Sequence, residues 1–219
     1  MTTRPYRSTL REQAAASTRA AILDAAEELF AQDGYARVTI GRIAQAAGVA
    51  PNTVYVAFGN KVGLVRGLTE RASGEDSIQA TLAAITESDD AEAIVDLAVR
   101  STGDIVHGHR RLMTLLIANA AADPEIGATL QGTERLLRER FGLITGRLAT
   151  LGALHPGLDV DQATDLLAYY LSPESWLRLG ALGWDPEVSR AWLRGQLGLA
   201  LLGRGSGRDP GRGSGGDSE

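Results

Sequence analysis

Residues 39–61 read TIGRIAQAAGVAPNTVYVAFGNK, and the parsing of this stretch decides the fold. Thr39 offers a hydroxyl that accepts from the free N–H groups at a helix start. Val38 before it and Ile43 after it bracket that start as an apolar pair. A helix is predicted over 40–47, with Gly48 ending it. Pro51 suits the first turn of a second helix over 51–58, where its missing N–H is not needed. Ala44 is small, Gly48 follows four residues later, and Val54 six after that. The small residue lets two helices cross closely, the glycine makes the tight turn, and the aliphatic residue locks the second helix onto the first. That arrangement is a helix-turn-helix. The three-point spacing by itself also fits two ordinary core helices joined by glycine.

The pattern continues outward in both directions. Ile22, Leu23, Ala26, Leu29 and Phe30 recur at helical spacing and predict a helix over 18–32, stopped at Gly34. Asn60 is placed to cap a fourth helix that buries Leu64, Val65 and Leu68. Beyond residue 73, helices are predicted over 77–87, 91–109, 111–122, 124–154 and 160–182. The last of these is broken at Ser172-Pro173-Glu174: a cap, a first-turn proline and an acid at the positive helix end. A final helix covers 186–202. The fold class expected is all-α, with an N-terminal three-helix helix-turn-helix domain and a C-terminal helical domain.

Composition narrows the function. Hydrophobic residues make up 44% and cysteine is absent. Disulfides, thiolate metal sites and cysteine nucleophiles are therefore excluded. His107 and His109 stand two apart and point to different sides of a helix. Asp104 and His107 are a lone pair, so no metal is expected. No nucleophile has a base and an orienting group in view, so neither an enzyme nor a cofactor is expected. No apolar run spans a bilayer and the first eighteen residues lack a signal core, so a cytoplasmic protein is expected. The net charge of −5 alone argues against nucleic acid. Its distribution does not. Residues 1–71 hold nine Lys/Arg against six Asp/Glu, a net +3; the remainder holds thirteen against twenty-one, a net −8. A basic head on an acidic body suits a DNA-reading module joined to something else.

The longer stretch LDAAEELFAQDGYARVTIGRIAQAAGVAPNTVYVAFGNKVGLV resembles the TetR (tetracycline repressor) family. The resemblance rests on Gly34, Tyr35, Thr39, Ile43, Ala44, Ala47, Gly48, Val49, Thr53, Tyr55, Phe58 and Lys61, and covers residues 19–66. It implies a ligand-responsive transcriptional regulator, usually a repressor, that binds a palindromic double-stranded operator as a homodimer. Residues 18–66 would be the DNA-binding domain and 67–203 the ligand-binding and dimerisation domain. Residues 1–17 would form a flexible or partly helical arm and 204–219 a disordered tail. By position, Pro51, Asn52, Thr53 and Val56 would face bases or the groove floor. Thr39, Tyr55 and Lys61, with Arg42 beside them, would touch phosphates. Arg4, Arg7, Arg11 and Arg19 are further candidates for backbone or minor-groove contact. Asn52, Val56 and Ala57 depart from the family, which favours glycine or polar groups there. Base readout then rests on Asn52 toward adenine and on the Val56 or Thr53 methyl groups. The same apolar helix also suits a family-like protein that has lost operator binding and acts through protein partners.

The body is less specific. In the family a small, largely apolar effector sits among the middle helices. Arg100, His107, Arg111, Asn119 and Gln131 are candidate polar liners. Met113 and Leu116 would form apolar wall, and Tyr169 and Trp176 would close the pocket. Each residue type is equally at home in an ordinary core or surface. The final helix carries two apolar stripes. Leu193, Leu197, Ala200 and Leu201 form one; Val188, Trp192, Gly195, Leu199 and Leu202 form the other. A helix apolar on two sides is sandwiched. A symmetry mate would cover the second stripe in a dimer interface; a fully internal helix of a monomer would carry the same pattern.

Overall fold

The computed structural model describes residues 4–74 and 76–202, with side chains from residue 11 on. The described residues hold helices and no strand: α1 (Arg4–Asp33), a 3-10 turn (Tyr35–Arg37), α2 (Ile40–Ala46), α3 (Pro51–Phe58), α4 (Lys61–Ser73), α5 (Asp76–Glu87), α6 (Ala91–Gly108), α7 (Arg110–Asn119), α8 (Pro124–Thr150), α9 (Val160–Tyr170), α10 (Pro173–Ala181) and α11 (Pro186–Leu202). The expected tail, 204–219, lies outside the described residues. The first helix differs from expectation. It begins at Arg4 rather than Thr18, so most of the expected arm is helical. Residues 10–21 are polar or Ala-rich with no Gly or Pro to stop a helix, and only an apolar face was missing.

Local chemistry sets the helix ends. The Thr39 hydroxyl accepts from the Arg42 amide at 3.3 Å, and Val38 and Ile43 are both buried. Gly48 turns the chain at φ +68°, a conformation a Cβ disfavours. Asn60 Oδ1 accepts from the Gly63 amide at 2.7 Å and caps α4. Asp159 and Gln162 form a reciprocal capping box at α9, and Ser172 caps α10 ahead of Pro173.

Contacts divide the chain into two units, Met1–Ala80 with Asp104–Leu137, and Thr81–Gly103 with Arg138–Glu219. The first unit is built on α1. That helix meets α2, α4 and α7, and its core includes Ile22, Ala26, Ile43, Ala44, Val54, Leu64, Val65 and Leu116. Burying an aliphatic side chain of this size contributes roughly 1.5–3 kcal/mol. α7 thus packs with the helix-turn-helix helices. In the second unit α9 and α10 pack on α11, over Phe141, Leu148, Leu167, Leu171, Leu193, Leu197 and Leu201.

Candidate functional site

α3 buries Val54 and Phe58 and turns Pro51, Asn52, Tyr55 and Val56 outward; Thr53 sits half-buried at the edge. Val56 is 80% exposed and Tyr55 53%. Asn52 and Val56 are four residues apart, on one face, about 6 Å along the axis. α3 itself carries no charged side chain.

The cations around α3 are held by the protein. Lys61 was expected on a phosphate. Its ammonium instead donates to the carbonyls of Tyr35 at 2.8 Å, Val38 at 3.2 Å and Ala36 at 3.4 Å, and lies 4.2 Å above the Tyr35 ring. An ammonium has three N–H groups, and three carbonyls take them. Burial lowers its pKa and the Asp123 charge opposes that shift. The physical reason is local. The carbonyls of the 3-10 turn and of Val38 converge on the first residue of α4. Arg19, also expected on DNA, donates to the Ala57 carbonyl at 2.7 Å, with its guanidinium 4.1 Å above the Phe58 ring. It caps the last turn of α3. Arg42 pairs with Asp33 at 2.5 Å.

Tyr35 ties this turn to α8. Its hydroxyl lies 3.5 Å from Asp123 Oδ2, while Asp123 Oδ1 accepts from the amides of Glu125 and Ile126 at the α8 start. Burial first, then the Asp123 charge, pushes the Tyr35 pKa up to about 12. Gly63 is a residue that sequence reasoning passed over. A Cβ there would sit 1.8 Å from the Phe58 carbonyl oxygen, so the α3–α4 corner closes only on glycine.

Residues 22–68 match the family described as bacterial regulatory proteins, tetR family. The solved structure of NalD, the secondary repressor of the MexAB-OprM multidrug efflux pump in Pseudomonas aeruginosa, superposes with a TM-score of 0.69. It covers 86% of this chain and 98% of NalD at 26% identity. Residues 22–68 therefore carry a TetR-type helix-turn-helix, and the chain shares the fold of NalD. Among curated TetR-like relatives, the transcriptional regulator UidR of Escherichia coli is 24% identical over 153 residues, 68% of this chain and 76% of UidR. The regulator TtgR of Pseudomonas putida is 33% identical over 115 residues, 44% of this chain and 52% of TtgR.

The effector candidates are scattered. Met113 and Leu116 are core of the first unit, and Asn119 donates to the Leu115 carbonyl of its own helix at 2.8 Å. His107 and Gln131 are exposed. Arg111 lines an acidic cavity of about 450 Å³ with Asp24, Glu27 and Glu28 of α1. In the second unit Arg100 pairs with Asp96 and Tyr169 is 72% exposed. Trp176 is buried against Gly103, and its indole N–H has no acceptor. The candidates are not brought together because helical spacing gives a side chain's face but not the neighbour it meets. A groove of about 390 Å³ runs between α4 and α8 instead. Arg66 and Glu70 form one wall, and Ala128, Thr129, Gly132 and Thr133 form a small-residue floor. The signal was present: small residues at 128, 129, 132 and 133 share one helical face.

The α11 stripes separate cleanly. Ser189, Leu193, Leu197 and Leu201 are buried, while Val188, Trp192 and Leu199 are 54%, 41% and 50% exposed. Gly195 and Leu202 are half-buried at the margin. Trp192 packs edge-on against half-buried Trp184 at 5.7 Å and half-buried Tyr170 at 6.5 Å, giving a partly exposed aromatic cluster.

Proposed function

We propose that this TetR-family chain is a ligand-responsive regulator that binds a palindromic operator as a homodimer and releases it when a small, largely apolar ligand binds. The observation that carries this is α3 itself, an exposed helix presenting Pro51, Asn52, Tyr55 and Val56 from a helix-turn-helix inside the family match. Thr39 and Tyr55 flank it as polar groups for the phosphate backbone. Repression is favoured by the relative NalD. The exposed stripe Val188, Trp192 and Leu199 is assigned to the dimer, which sets two α3 helices against half-sites about 34–36 Å apart. Domain limits of 18–66 for the reader and 67–203 for the remainder follow the same assignment. The groove between α4 and α8 is the place proposed for the effector, because it borders the helix that follows the reader.

The test is a selection of bound duplexes from a random-sequence pool, followed by sedimentation of the complex. Palindromic duplexes bound by two chains support the proposal, and failure to retain any duplex overturns it. Effector release requires a ligand to weaken operator binding and operator to weaken ligand binding by the same factor. A second reading, a family-like interaction protein without operator binding, draws on the absence of any charged side chain on α3. It predicts that nothing is recovered from the duplex pool.

A further inference from the structure

The contact face of α3 is poor in charge for a structural reason. Arg19 caps α3, Arg42 is paired with Asp33, and Lys61 is enclosed by three carbonyls. Beyond the Pro51 ring at its first turn, α3 presents outward one amide, one phenol and one isopropyl group: Asn52, Tyr55 and Val56. Thr53, the other methyl-bearing candidate, is half-buried beside them. In the major groove, hydrogen-bonding edges reward polar side chains, and a single feature rewards an apolar one, the C5-methyl of thymine. At 80% exposure, Val56 has most of its isopropyl surface free to meet that methyl. An amide in the position of Asn52 matches the N6 and N7 pair of adenine.

We infer that this chain selects its operator through the thymine methyl group, with Val56 as the residue that reads it and Asn52 as the reader of a nearby adenine. The inference rests on the operator-binding proposal above and adds the base chemistry. Four residues of helix, about 6 Å, separate the two readers, on the order of two base-pair steps. The preferred half-site therefore holds an A·T pair under each, about two steps apart. Specificity comes from the methyl contact and the amide hydrogen bonds, and charge from this helix contributes none of it.

The experiment uses the full chain and the best-bound duplex recovered from the random pool. Each thymine of a half-site is replaced in turn by deoxyuridine, which removes only the methyl. One thymine is expected at which binding weakens about four-fold, the scale of one buried methyl. In Val56→Ala the same replacement should cost nothing, because the contact is already gone; the surface position leaves the fold intact. Replacing adenine by 7-deazaadenine should weaken binding about ten-fold at one position, and Asn52→Ala should abolish that sensitivity. A duplex that binds equally well with deoxyuridine throughout overturns the inference while leaving operator binding in place. So does a deoxyuridine penalty that survives undiminished in Val56→Ala. If no duplex is retained, the operator-binding proposal falls and this inference falls with it.

Discussion

α3 and α11 both hold apolar side chains in solvent, and they do so differently. α3 has eight residues, a buried stripe of Val54 and Phe58, and an exposed side made of isolated groups beside an amide. α11 has seventeen residues, a buried stripe of leucines, and an exposed side that continues into Trp184 and Tyr170. Isolated surface apolar groups are ordinary, whereas a contiguous aromatic-aliphatic patch marks a surface that another protein covers. Under the proposed function, the same residue class serves base contact where its neighbours are polar and separate, and self-association where its neighbours are aromatic and touching.

The largest effect expected separates the two surfaces. Leu199→Arg places a charge in the α11 patch and against its own copy, at several kcal/mol. Sedimentation should show monomers with helicity intact by circular dichroism, and operator affinity should fall by two or more orders of magnitude. A dimer that survives assigns α11 some other role. Next, Gly63→Ala forces the α4 start away from the Phe58 carbonyl. A loss of about 3 kcal/mol or more is expected in denaturant unfolding, with DNA binding lost and the α11 patch still self-associating.

A smaller effect is expected at Lys61. Lys61→Met removes one donor from three carbonyls and loosens the corner before α4. Operator affinity should drop about ten-fold at every salt concentration, with no change in the slope of log affinity against log salt. A slope that falls by about one would instead place the ammonium on a phosphate.

The smallest effect is spectroscopic. Tyr35 should ionise near pH 12. The folded pKa lies above the unfolded 10.0. Its stabilisation is therefore complete below pH 10 and is lost as pH rises toward 12. Ultraviolet titration of Tyr35→Phe should lack the step near pH 12; an unaltered profile would sever Tyr35 from Asp123.

The reader was legible because each choice in it is local. Thr39, Gly48, Pro51 and Asn60 act on backbone within four residues of themselves, and the structure finds them capping or turning as the spacing requires. The structure does not bring Arg100, His107 and Gln131 together, because helical spacing specifies a face while a pocket is specified by two faces meeting. The intramolecular partners of Lys61 and Arg19 were illegible for a related reason. A long cation is counted as surface charge until the carbonyl it reaches, twenty or more residues away, is known.

The carboxylate of Asp123 serves two masters with its two oxygens, the first turn of α8 and the phenol of Tyr35. Fraying of that turn therefore removes the acceptor from the tyrosine whose carbonyl holds Lys61. In amide hydrogen exchange, Glu125 and Ile126 should then open together with the amides that follow Asn60, as one cooperative unit drawn from segments sixty residues apart in sequence. A helix start in the body would melt in step with the first turn after the reader, though neither belongs to the other's secondary structure.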